Sequence, residues 1–515
     1  MSSLSIKDEG LADEDSTQQR RNTKGRQRNR GRSGRPRQYS AKAPSQRQRA
    51  TDPARLTAFQ ILQAVTHEDA YANLVLPTRI RRNKLDRQDA GFATELTYGT
   101  LRSLGTYDAI LARCVDRSLK KLDLPVLDAL RLGTHQLLNM RVPAHAALDT
   151  TVALVRDQIG TGPSGFVNAV LRKVSQRTLE EWLDELAPGD SDQDLAIRYA
   201  HPPWILRAVK QSLVTNGRNV EDFRSVLEAN NSAPELNLIA LPGIGDLEPV
   251  LEYGAEASPL APDAAVYSGG DAGRIPGVAD GTVRVQDIGS QLTARALVGA
   301  RDVTVGETWL DMAAGPGGKA AVLAALAQAH GATLQANDVS EHRTKLVTQA
   351  LRVVDEDVWT TSVADGTALA ADPANAQRFD RILLDAPCTG LGALRRRPES
   401  RWRRTPQDLA TLTQLQSQLL DAALAMLKPG GLLAYVTCSP HIAETTLQVN
   451  DLLKRQPDVT LLDSASALQQ VAHQDDDGSV LARESITAGN PDANTAQLWP
   501  DLHRTDAMFF ALLTR

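Results

Sequence analysis

Nowhere does the chain hold the roughly 18 to 20 uncharged apolar residues that a membrane-crossing helix needs. Its first residues are polar and charged, where a secretion signal would be apolar. Cysteine is nearly absent: Cys114, Cys388 and Cys438 are the only three in 515 residues. So odd and sparse a set argues against a disulfide framework and leaves free thiols available in a reducing compartment. These absences predict a cytoplasmic protein with no membrane segment, and nothing in the residue pattern calls for a metal. At this length two or three domains are expected.

Charge is unevenly spread. Residues 1–50 hold 13 Lys/Arg and 5 Asp/Glu, a net of +8, which leaves −13 for the rest of a chain whose total is −5. From Arg20 to Arg49 the stretch has almost no apolar residue and cannot bury enough surface to fold. It reads as a disordered basic arm that gathers RNA phosphates, the alternative being a solubilising tail.

Residues 51–177 carry apolar side chains at spacings of three and four, beginning with Phe59, Ile61, Leu62 and Val65. Helices are predicted over 87–101, 126–138, 147–155 and 166–174, an all-helical bundle. Residues 178–282 are less regular: a helical opening, a strand near 236–241, and a Gly-, Ala- and Pro-rich stretch over 254–281 that reads as loop or linker. From residue 283 to 515 short apolar strands alternate with helices. Strands are predicted at 308–313, 333–338, 358–364, 381–385 and 432–437, which makes a mostly parallel sheet in an α/β domain. Ligands bind such sheets at the carboxyl ends of the strands.

The first of those ends is Trp309-Leu-Asp-Met-Ala-Ala-Gly-Pro-Gly-Gly-Lys319, a turn of small residues leading into a helix. Glycine admits close approach to the backbone, and the helix start favours an anionic group. Ala320 after Lys319 lacks the hydroxyl of a nucleotide-hydrolysing loop. Asp338 ends the second strand, where a carboxylate can bind ribose hydroxyls, and Asp365 follows the third, placed to meet an adenine amino group. Each could instead cap a helix.

Two cysteines share that edge, in Asp385-Ala-Pro-Cys388 and in Thr437-Cys-Ser439. Free cysteine is commonly just a small buried hydrophobe, and Cys114 fits that role. A thiolate adding to carbon 6 of cytosine, however, would make carbon 5 nucleophilic, and a base must later remove the carbon 5 proton. Asp385, Cys388 and Cys438 supply a clamp and two thiols, without fixing which thiol does which task.

The set Asp311 to Lys319, Asp338, Asp365, Asp385 to Cys388 and Thr437 to Ser439 resembles the Sun/Fmu family of RNA cytosine-5 methyltransferases. Arg87-Gln-Asp-Ala90, Glu95 to Arg102 and Phe166 to Arg172 resemble the NusB-like domain fused to the bacterial 16S ribosomal branch. The resemblance runs from about Asp52 onward. It implies a Rossmann-like methyltransferase domain using S-adenosylmethionine, with Cys438 as nucleophile and Cys388 as release group. It places the cofactor against Ala313, Ala314, Gly315, Pro316, Gly317, Gly318 and Lys319, with Asp338, Arg343, Asp365 and Asp385 completing its site, and Lys319 also serving catalysis. Gly315 stands where the family often has Ala, and Thr505-Asp-Ala-Met-Phe-Phe510 replaces a more usual Asp-Gly-Phe-Phe.

After Cys388 comes Arg395-Arg-Arg-Pro-Glu-Ser-Arg-Trp-Arg-Arg404. Arg395, Arg396, Arg397 and Arg401 are expected to meet RNA phosphates and Trp402 to stack on a base, the bland alternative being a solvated loop. A flipped or single-stranded cytosine in 16S ribosomal RNA is the expected substrate, and the protein is expected to be a monomer. The competing readings are a transfer RNA substrate and an inactive RNA-binding protein.

Overall fold

In the computed structural model of the chain, residues 51–475, 478–487 and 493–515 are described. The predicted basic arm lies outside them. Seven helices come first: α1 (Pro53–His67), α2 (Ala72–Arg82), α3 (Arg87–Arg102), α4 (Leu104–Cys114), α5 (Leu124–Leu138), α6 (Ala144–Gln158) and α7 (Ser164–Val174). The three- and four-residue apolar spacing turns Phe59, Leu96, Leu130, Val155 and Leu171 into one core, which also holds Cys114. Asp52 and Asp86 cap α1 and α3 by accepting from the Arg55 and Asp89 amides.

Four helices follow, α8 (Leu179–Leu186), α9 (Asp192–Arg198), α10 (Pro203–Thr215) and α11 (Phe223–Asn231). Next comes a small antiparallel sheet of order β2-β3-β1-β4, built from β1 (Leu236–Ala240), β2 (Glu256–Ala257), β3 (Ala264–Tyr267) and β4 (Val283–Val285), with α12 (Glu248–Glu252) after β1. The stretch read as loop or linker therefore contains two strands. They are only two and four residues long, too short to show a period, and β3 is held by pairing with β1.

The C-terminal sheet has the order β10-β14-β9-β8-β5-β6-β7, with β13 (Ala496–Gln497) on β14, while β11 (Gln474–Asp475) and β12 (Gly478–Ser479) pair separately with each other. Its strands β5 (Thr308–Asp311), β6 (Thr333–Asp338), β7 (Trp359–Val363), β8 (Phe379–Asp385) and β9 (Leu427–Thr437) are parallel, whereas β14 (Phe509–Thr514) runs antiparallel to β9 and to β10 (Thr460–Leu461). Successive residues face opposite ways, so Trp309 and Leu310 enter different cores. One core packs α13 (Ile288–Gly299), α14 (Gly318–His330) and α15 (Glu341–Leu351); the other packs α18 (Pro406–Met426), with α16 (Gly366–Ala371) at its margin. β5 lies between β6 and β8, so the strand order reverses there and leaves a crevice at the carboxyl ends. Among the described residues no helix is long and apolar enough to cross a membrane.

Candidate active site

The turn after β5 is shaped by its glycines. Gly317 has φ +104, and a Cβ there would lie 2.6 Å from the Ala350 Cβ. At Gly315 a Cβ would meet the Asp338 carboxylate at 2.5 Å and the Arg343 Nε at 2.7 Å. With no side chain in the way, the Gly315 amide donates to Asp338 at 3.0 Å, and Arg343 reaches both the Gly315 carbonyl and, at 3.2 Å, Asp338. Asp338 is buried at the end of β6. Asp365 is exposed and caps α16, accepting from the Thr367 amide at 2.8 Å; its bonds to Thr367 hold its carboxyl below the usual range. Ala313, Ala314, Pro316 and Gly318 complete the turn, with Gly318 opening α14.

Asp311 was quoted in the sequence only as the first residue of the turn, yet it carries a large electrostatic anomaly. It is fully buried, and neither oxygen makes a well-formed hydrogen bond. Burial, and after it the Asp385 charge, push its carboxyl up to about 8, against Lys319 and the nearby Ala313 amide. A carboxylate ending an otherwise apolar strand was the available signal. The Lys319 ammonium donates to Asp385 at 2.8 Å and to the Ser290 hydroxyl at 3.3 Å. Burial works to lower the Lys319 pKa, but Asp385, Cys438 and Asp311 together hold it raised.

The two cysteines come together, Sγ to Sγ 3.4 Å. A thiol hydrogen bond from Cys388 stabilises charge on Cys438 and lowers its pKa, while the same bond and burial push Cys388 well above the ordinary thiol range. Asp385 and Asp506 oppose the charge on Cys438 and Arg397 favours it, whereas Glu444 and Asp385 both oppose charge on Cys388.

Sequence reasoning missed Glu444. Fully buried, it accepts from the Thr389 amide at 2.7 Å, the Thr389 hydroxyl, the Ser439 hydroxyl at 2.6 Å and the Gln416 amide at 3.2 Å. Thr389 follows Cys388 and Ser439 follows Cys438, so one carboxylate ties both cysteine loops together. The only sequence signal was a lone Glu shortly after the second cysteine.

The arginine loop corrects an expectation. Arg401, predicted to meet RNA, is fully buried and donates to the carbonyls of Arg102, Ala200 and Asn230 and to the Asn231 side chain. Arg396 pairs with the buried Asp506 and Arg397 lies over the Tyr71 ring at 5.3 Å. Trp402 is 38 % exposed and packs on Gly105 of α4, where a Cβ would meet its ring at 2.4 Å. This loop joins the C-terminal sheet to the helical bundle because its long side chains reach carbonyls at helix ends. Arg395 is buried too. Among the described residues no cluster of His, Cys, Asp and Glu could hold a metal ion.

Comparison with known proteins agrees with this architecture. Residues 301–514 match the family described as 16S rRNA methyltransferase RsmB/F, and residues 52–176 match the NusB family. The Mycobacterium tuberculosis protein Rv1407, named as a methyltransferase, is 44% identical over 476 residues, covering 91% of this chain and 98% of that one. Ribosomal RNA small subunit methyltransferase B of Erwinia tasmaniensis is 34% identical over 438 residues, covering 82% of this chain and 96% of that one. The solved structure of PH0851 shares the fold, with a TM-score of 0.73 at 21% identity over 90% of this chain and 99% of that one. With a NusB domain fused to a Rossmann-like sheet and relatives spanning nearly their whole length, the chain belongs to the RsmB/F family of ribosomal RNA methyltransferases.

Proposed function

We propose that the protein methylates carbon 5 of a cytosine in 16S ribosomal RNA, using S-adenosylmethionine and a covalent Cys438 adduct. The observation that carries this reading is the pair of thiols 3.4 Å apart, shifted in opposite directions, beside a glycine-shaped turn. The turn fits the cofactor: a side chain at Gly315 would crowd Asp338 and Arg343, Gly317 lets the turn pack against α15, and Asp338 and Asp365 end or follow neighbouring strands as carboxylates that could meet a ribose and an adenine. Bound there, S-adenosylmethionine would supply the electrophilic methyl group.

Cys438, the more acidic thiol, adds to carbon 6, and the electron pair of the 5,6 double bond becomes available at carbon 5. Asp385, oriented by Lys319, faces the polar edge of the ring and stabilises the adduct. Cys388 starts as the protonated thiol that donates to Cys438; once it has lost that proton to solvent, its thiolate, the stronger base because of its raised pKa, takes the carbon 5 proton as Cys438 departs as thiolate and the double bond re-forms.

Replacing Cys388 with Ala and incubating with S-adenosylmethionine and small-subunit ribosomal RNA should accumulate a covalent protein–RNA adduct. Cys438→Ala in that background should abolish the adduct. Full methylation by Cys438→Ala would overturn the mechanism, and mapping the adduct identifies the cytosine.

A further inference from the structure

Two buried guanidinium groups lack the acceptors that other buried arginines in the protein have, whether carboxylates or, for Arg401, carbonyls and an Asn side chain. Arg381 faces Glu307 at 2.7 Å, Arg218 faces Asp501 at 2.7 Å and Arg131 faces Asp108 at 2.7 Å. Arg395 is only 4 % exposed, its Nε is buried without a partner, and among the described residues its side chain makes no hydrogen bond or ion pair. Arg102, in the last turn of α3, is 7 % exposed, with the same unpartnered Nε, and its guanidinium lies 5.4 Å over the Tyr98 ring. The two lie close enough to repel: burial lowers the Arg102 pKa, Glu95 and Tyr98 oppose this, and the Arg395 charge adds to it. Burying a cation without an anion is unfavourable, and two neighbouring ones more so.

Arg395 lines a cleft of about 460 Å³ with Ser225, Ser232, Arg504 and three acids, Glu228, Glu235 and Asp501. Two of these acids face arginines, Asp501 with Arg218 and Glu235 with Arg504 at 3.5 Å, while the exposed Glu228 accepts only from the Tyr199 hydroxyl at 3.5 Å among the described residues. The loop carrying Arg395 touches the catalytic edge: the Gly392 amide, three residues earlier, donates to the Cys438 carbonyl at 2.9 Å. We propose that Arg395 binds a backbone phosphate of the RNA strand that delivers the cytosine, with Arg102 of the helical bundle supplying the second positive charge. A guanidinium suits this ligand because its planar fork matches phosphate oxygens. The helical bundle and the catalytic domain would then grip one strand at one point. The inference rests on the RNA methyltransferase reading.

The test compares the full chain with Arg395→Gln, Arg102→Gln and the double variant. Without ligand, the thermal midpoint should stay level or rise, because a buried unpaired charge has been removed. Inorganic tripolyphosphate at low salt should raise the midpoint of the unaltered protein and not that of the double variant. Binding of a 16S fragment over a salt series should lose about one unit of logarithmic slope per arginine that contacts phosphate, with S-adenosylmethionine affinity unchanged. Lower midpoints with an unchanged RNA slope would make both arginines structural props and overturn the proposal. A response to tripolyphosphate alone would mark a free-anion site and overturn it as well. In both cases methylation by the unaltered protein keeps the RNA reading intact, whereas an unaltered protein that methylates no RNA ends both.

Discussion

At the catalytic edge, buried or half-buried charge is met by charge or by strong donors. Lys319 faces Asp385, Arg343 faces Asp338, and Glu444 collects four hydrogen bonds. At the junction with the helical bundle the arginines lean on neutral groups instead: Arg401 on three carbonyls and an Asn side chain, Arg403 on the carbonyls of Val65, Asp69 and Ala70, Arg397 on a Tyr ring. Opposite charges fix geometry to the tenths of an ångström that covalent chemistry needs. Neutral acceptors hold segments together and leave the positive field uncancelled. One region is arranged to react; the other combines cohesion with attraction for an anion.

The largest effect that would break this comparison is expected at Glu444. Glu444→Gln puts an amide N–H where four donors converge, so the two cysteine loops should separate. Methylation should fall about 100-fold, the scale of a misplacement near 1 Å, while cofactor affinity holds. Unchanged turnover would show that the thiols are positioned without this carboxylate. At the junction, Arg401→Met leaves carbonyls without a donor and should cost about 1–3 kcal/mol in chemical denaturation. Burial lowers the Arg401 pKa to about 9, and that relief on removing the charge keeps the loss modest. A loss as large as the roughly 3–5 kcal/mol of breaking a buried ion pair would erase the distinction between the regions.

Asp311 is the exception at the edge, and its sign is testable. Its folded pKa, about 8, lies above the unfolded value of 3.8. The folded state therefore holds more protons between those values, and stability should fall as pH rises through that window. Asp311→Asn should flatten the decline, read as denaturation midpoints from pH 4 to 9; an unaltered slope would refute the assignment. The smallest effect is expected at Gly315→Ala, whose Cβ crowds Asp338 and Arg343. Cofactor affinity should weaken by about 1 kcal/mol, and by less in an Arg343→Ala background, measured by calorimetry.

Most of the parallel sheet was legible because each strand is an apolar run bounded by turn residues; the strand predicted at 333–338 is observed there. The site motifs were legible because they follow those strands. β3 was not, since four residues in a Gly- and Pro-rich stretch show no period until β1 pairs with them. Glu444 was illegible for a different reason: its partners come from three separate segments, and only folding brings them together. Arg401 misled because a run of arginines looks the same in sequence whether it faces solvent or a neighbouring domain.

The placement of β14 has a consequence for the growing chain. The strand bearing Thr437 and leading to Cys438 pairs along six residues with β14, which is made some seventy residues later. Until Phe509 to Thr514 leave the ribosome, β9 presents an unpaired apolar edge, the kind of surface that recruits other strands. The segment just before β14 also carries Asp506 and Ala507, which brace the catalytic loops through Arg396 and Gly392. Nascent chains paused within that interval should therefore be both inactive and prone to aggregate, so folding helpers would matter most between the synthesis of residues 437 and 509.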